Sequence, residues 1–107
     1  LKTTTGGEFI GINQISNEIP KNYYLQQNYP NPFNPTTNIK FDIPGRSNVK
    51  ISIYDILGKE ISVLVDEELN PGTFEVNWDA SNFPSGVYFY KIETDEFSES
   101  KKMIMIK

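Results

Sequence analysis

The chain of 107 residues contains no cysteine and no histidine. Without cysteine there are no disulfides, no thiol nucleophile and no thiolate zinc site. Without histidine the commonest general base and the commonest metal ligand are both missing. A serine triad of the usual kind therefore cannot form. No apolar run approaches the roughly 18 residues that a membrane-spanning helix needs. Cationic charge is scarce as well: 10 Lys and Arg against 14 Asp and Glu leave a net charge of −4. The local basic cluster is Lys101, Lys102 and Lys107, too little for the phosphate contacts of a nucleic-acid binder. The composition points away from an enzyme, a bound cofactor or metal, nucleic acid and stable membrane insertion.

The chain opens at Leu1 without the basic, apolar and small-residue regions of a signal peptide. It is expected to be the C-terminal part of a longer protein. Residues 1–22 are weakly patterned: TTTGG (3–7) and ISNEIPKN (15–22) read as connectors, with Phe9, Ile10 and Ile12 either a short strand or an upstream tail. The expected organisation is a linker over 1–22 and one domain over 23–107.

What is present suffices for one modest core, at 37% hydrophobic and 13% aromatic residues. Beyond Lys21 the hydrophobic period is two, which is the strand period. Ile39, Phe41 and Ile43 alternate with Asn38, Lys40 and Asp42; Val49, Ile51 and Ile53 alternate with Lys50, Ser52 and Tyr54. Ile61, Val63 and Val65 continue the pattern with Leu64 on the opposite face, and Phe74, Val76 and Trp78 point inward. VYFYKIE (87–93) is apolar on both faces, as a central strand would be. PGRSN (44–48), LGKE (57–60), NPG (70–72) and NFPSG (82–86) supply turn chemistry between these runs. The pattern predicts an all-β fold, an antiparallel Ig-like β-sandwich of about seven strands.

The most unusual stretch is NYPNPFNP (28–35), with three asparagines, three prolines and two aromatics in eight residues. Pro30, Pro32 and Pro35 lack backbone donors and bias their neighbours to extended geometry, so no helix forms here. The segment is expected to be a rigid lead-in strand, with Tyr29 and Phe33 packing on the edge of the sandwich and the prolines discouraging foreign strands. The aromatics Tyr23, Tyr24, Tyr29 and Phe33 have a second reading, a stacking face for sugars, beside that of a seal over the open end.

The acidic residues have ordinary readings. Glu67 and Glu68 read as a solvated loop tip, and Asp55, Asp79, Asp66 and Asn82 as turn caps or, alternatively, a calcium rim. Ser100 and Lys101 are sequence neighbours that face apart on a strand. The last stretch, MIMI (103–106) between lysines, reads either as a strand buried on both faces or as a strand that another protein reads by strand addition, with the lysines as gatekeepers.

Three segments together carry a resemblance: LQQNYPNPFNPTTNIKFDIP (25–44), VKISIYDILGKEI (49–61) with PGTFEVNWDASNFPSGVYFYKI (71–92), and KKMIMIK (101–107). In this order they resemble the C-terminal sorting domain, type A, of the type IX secretion system. The W-D…P-S-G-V-Y part is also similar to the Ig-like domain of the flagellar hook-capping protein. The resemblance implies a non-catalytic sandwich that carries an upstream cargo from the periplasm through an outer-membrane translocon to the cell surface or medium. A surface sortase would then cleave within or near residues 1–22, releasing the cargo or joining it to lipopolysaccharide. It maps the translocon signal onto Lys101, Lys102, Met103, Ile104, Met105, Ile106 and Lys107, and the family's P-x-G-x-Y element onto Pro84, Gly86 and Tyr88. The alternative function is a carbohydrate-binding or structural Ig-like spacer module.

Overall fold

A computed structural model describes residues 12–107, which form eight strands and no helix. Phe9, Ile10 and the TTTGG stretch lie outside the described residues. The strands are β1 (Ile12–Ser16), β2 (Tyr24–Leu25), β3 (Thr36–Ile43), β4 (Ser47–Tyr54), β5 (Glu60–Leu69), β6 (Gly72–Asp79), β7 (Gly86–Glu93) and β8 (Ser98–Met105). They make two antiparallel four-stranded sheets, ordered β1-β6-β3-β2 and β5-β4-β7-β8. The expected seven strands become eight because Ile12–Ser16 pairs on β6, so the first sheet begins upstream of the boundary expected near Lys21.

The alternation explains the two layers. Ile39, Phe41 and Ile43 of β3 and Phe74, Val76 and Trp78 of β6 fill the inner face of one sheet. Val49, Ile51 and Ile53 of β4 and Tyr88, Tyr90 and Ile92 of β7 fill the other. β7 is central, as expected, but only that one face is fully buried; Val87 and Phe89 are half-buried. β5 departs from simple alternation. Ile51 stands opposite Val65 while Ser52 stands opposite Val63, so Leu64 is an extra residue on the β5 side. Such a bulge reverses the facing of what precedes it, and Val63 is exposed while Leu64 packs on the core.

The turns follow their side chains. The Asp55 carboxylate accepts from the backbone N–H of Leu57 and of Lys59 (both 2.9 Å), and Gly58 takes φ +86° between them, a conformation glycine adopts without penalty. Asp79 accepts from the Ser81 N–H, and that bond with the Ser81 hydroxyl holds its carboxyl below the usual carboxylate range. Asp66 stands opposite Lys50, at the other end of β4 from Asp55. Among the described residues no cluster of three or more His, Cys, Asp or Glu is placed to hold a metal ion. Glu67 and Glu68 lie within β5 rather than at a loop tip, and Glu68 pairs with Arg46 at 3.0 Å.

Residues 26–35 run across the space between the sheets' edges, and one phenol ties them down. The fully buried Tyr90 of β7 donates to the Gln26 carbonyl (2.6 Å), and its oxygen accepts from the Asn28 N–H (2.8 Å). Burial pushes the Tyr90 phenol far above the ordinary tyrosine value, so it remains a neutral donor. Tyr90→Phe leaves the buried Asn28 N–H and the partly buried Gln26 carbonyl without that partner and is expected to cost about 1–3 kcal/mol in a denaturant melt. The unfolded chain releases this proton near the ordinary value of about 10 while the folded chain keeps it. The contribution of Tyr90 is therefore complete below about pH 10 and declines as pH rises. The fall in stability between about pH 10 and 12 should be shallower in Tyr90→Phe than in the unaltered protein; equal slopes would show that Tyr90 is not the group responsible.

Candidate functional site

The C-terminal strand is an edge strand, and its two faces differ. β8 pairs with β7 throughout, from Ser98 opposite Glu93 to Met105 opposite Gly86. Met103 and Met105 point into the core at 0% and 1% exposure, whereas Ile104 and Ile106 face outward at 37% and 51%. The strand is thus buried on one face and open on the other. Lys102 is exposed on the same side as Ile104, while Lys101 is half-buried and pairs with Glu99 at 3.4 Å. Lys107 is anchored back onto the 81–85 loop, its N–H donating to Ser85 Oγ (3.0 Å) and its Nζ to the Ser81 carbonyl (3.1 Å).

The outer edge of β8 would offer unpaired backbone groups, but the lead-in occupies it. The Phe33 N–H donates to the Ile104 carbonyl (3.0 Å), and the Phe33 carbonyl accepts from the Ile106 N–H (2.9 Å). This makes a parallel bridge between Phe33 and Met105. Asn31 Oδ1 accepts from the Ile104 N–H (3.0 Å), and Gln27 Nε2 donates to the Lys102 carbonyl (2.8 Å). From the Lys102 carbonyl to the Ile106 N–H the edge is therefore closed, and a foreign strand would have to displace residues 27–33 to pair there.

Phe33 also plugs the core. It is 2% exposed and lies 5.9 Å from the Trp78 ring. Trp78 in turn contacts Tyr88 (5.5 Å) and Phe83 (5.7 Å), forming an aromatic cluster at this end of the sandwich. The P-x-G-x-Y element shapes the neighbouring turn: the Tyr88 hydroxyl donates back to the Pro84 carbonyl at 2.5 Å, with Gly86 between them at φ +156°. Burial, with the Asp55 charge adding to it, pushes the Tyr88 phenol up, so it stays protonated to make that bond.

Tyr29 does not pack as expected; it is 79% exposed, because its backbone bridges Asn38 and turns the ring away from the core. The four aromatics of the expected sugar face or seal are separated. Phe33 is in the core, Tyr23 stacks on Phe97 at 5.1 Å with its hydroxyl on Ser47 Oγ, and Tyr24 and Tyr29 are exposed. Pro30 offers its carbonyl to Thr37 Oγ1 (2.8 Å) and to Asn28 Nδ2 (3.1 Å), while Pro32 is exposed and the Pro35 carbonyl accepts from the Ala80 N–H. Gln27, Asn28 and Asn31 were the residues that sequence reasoning passed over. Asn28 is 2% exposed and bonds Pro30, Thr37, Gln27 and Tyr90, so it is the buried hub of the lead-in. The density of carboxamides around three prolines was the available signal.

The fold and this end of it define a β-sandwich whose last strand is clamped by its own lead-in and presents one face outward. The family model of the secretion system C-terminal sorting domain matches residues 27–107. The chain belongs to that family, the sorting domains of type IX secretion. The match begins at Gln27, where the clamp on β8 begins. The chain matches no curated protein and no solved structure.

Removing the Phe33 ring leaves a cavity beside Trp78, and Phe33→Ala is expected to cost about 3–5 kcal/mol. Near-ultraviolet circular dichroism and tryptophan fluorescence should change with it. A loss below about 1 kcal/mol would mean that the ring does not fill the core as described.

Proposed function

We propose that this domain directs an upstream cargo from the periplasm through the outer-membrane translocon of the type IX system, and that the translocon reads the outward side chains of the terminal segment. A surface sortase then cuts within or near residues 1–22, leaving cargo at the surface or in the medium. Family membership supports the sorting role. The observation that carries the reading of the tail is the division of β8: Met103 and Met105 are in the core and the edge is closed by Gln27, Asn31 and Phe33. What a partner can touch without unfolding the domain is Lys102, Ile104, Ile106 and Lys107. Lys101, paired with Glu99, acts as a gatekeeper rather than a contact. Recognition through side chains also suits a strand end whose backbone groups, from the Lys102 carbonyl onward, are already satisfied.

Deleting residues 101–107 would remove both core methionines, so a truncation mixes folding with signalling. A cleaner test fuses a periplasm-targeted fluorescent protein to the whole chain and compares it with the double variant Ile104→Asp, Ile106→Asp in a bacterium with a working type IX system. Carboxylates on that face would meet an apolar site unpaired. The melting midpoint should hold within a few degrees while surface and medium fluorescence fall at least about tenfold. Undiminished export of the variant would place the signal elsewhere.

A further inference from the structure

The lead-in builds a second feature, a groove that runs from its own carboxamides onto the outer face of the first sheet. A groove of about 560 Å³ is lined there by Gln27, Tyr29, Asn31, Asn38, Lys40 and Glu75 among others. Three of these side chains are carboxamides held by one arm only. Gln27 commits its Nε2 to Lys102 and Asn28, Asn31 commits its Oδ1 to Ile104, and Asn38 commits its Oδ1 to Asn77 Nδ2 (2.9 Å). An amide has both donor and acceptor capacity. The Gln27 oxygen and the Asn31 and Asn38 nitrogens therefore have no partner among the described residues. They are positioned by the fold with one arm left to solvent, where a ligand can replace water without reordering the side chain.

The remaining lining restricts the ligand. The Tyr29 ring, 79% exposed, stands at the groove as a flat apolar surface, and an aromatic face is electron-rich enough to attract polarised C–H groups. Lys40 and Glu75 are cross-strand partners without an ion pair between them; their charges cancel, so the groove favours neither anion nor cation. A strand-like peptide finds few backbone groups there. The Gln26 N–H and carbonyl are taken by Lys40 and Tyr90, and the Asn28 N–H is taken by Tyr90. A pyranose has what the site lacks: one face of C–H groups and a rim of hydroxyls that both donate and accept. We propose that this groove binds a neutral oligosaccharide, with a sugar ring stacked on Tyr29 and its hydroxyls on the free amide arms of Gln27, Asn31 and Asn38.

The test is a titration of the full chain followed by amide and side-chain NMR. One arm uses cellohexaose, laminarihexaose and mannohexaose as environmental glycans; the other uses polysaccharide extracted from the producing cell's own envelope. The expected result in at least one arm is saturable shifts confined to Gln27, Tyr29, Asn31, Asn38 and their neighbours, with a dissociation constant of about 0.1–1 mM. Tyr29→Ala should weaken binding at least about tenfold and leave the melting midpoint unchanged, since the ring touches no core. Asn38→Asp, which keeps the shape and the acceptor but removes the free donor, should also weaken it. The absence of shifts in both arms at about 10 mM sugar, shifts elsewhere on the molecule, or binding indifferent to Tyr29→Ala would each overturn the proposal.

Discussion

An edge strand leaves every second amide and carbonyl facing away from its sheet, where water or another strand must satisfy them. In β8 this applies at Lys102, Ile104 and Ile106, and the chain answers from within. Gln27 covers the Lys102 carbonyl, Asn31 and the Phe33 backbone cover both groups of Ile104, and Phe33 again covers the Ile106 N–H. The rest of this end of the molecule depends on that closure. Phe33 can reach Trp78 only because its backbone is fixed on β8. The loop before β7 is drawn in by Tyr88 on Pro84 and by Lys107 on Ser81 and Ser85. Earlier in the lead-in, Tyr90 of β7, the neighbour of β8, grips Gln26 and Asn28.

This arrangement gives a physical account of a sorting domain that must stay folded and unpaired until it is read. A terminal segment with four consecutive apolar residues would be an aggregation hazard as a bare edge. Here its backbone is closed, half of its side chains are in the core, and the outward half is flanked by Lys102 and Lys107. The terminal segment is therefore a surface of a folded domain rather than a flexible tail. Protection against indiscriminate strand pairing follows from that closure.

Much of the architecture was legible because strand periodicity is local. Ile39, Phe41 and Ile43, or Phe74, Val76 and Trp78, face the core as their spacing predicts. The places where alternation misled are non-local. Val63 faces outward because an extra residue, Leu64, enters the pairing with β4, and nothing in its own neighbourhood marks the bulge. Ile12–Ser16 becomes a strand by pairing on β6, far along the chain. At the site, the stiffness of NYPNPFNP could be read from its prolines, but its partner could not. Tyr29 and Phe33 look equivalent in sequence, and only the bridge to Met105 sends one ring into the core while the bridge to Asn38 sends the other into solvent. Gln27 and Asn31 escaped notice because they do their work here by meeting backbone seventy or more residues away.

The central claim is that the lead-in closes the edge of the C-terminal strand, and native-state amide hydrogen exchange tests it directly. Along β8 the outward N–H groups of Ile104 and Ile106 have partners in the lead-in, whereas those of Ser100 and Lys102 have none among the described residues. Slow exchange at Ile104 and Ile106, at least about a hundredfold slower than at Ser100 and Lys102, is the expected result. Equally fast exchange at all four positions would show an open edge and contradict the account.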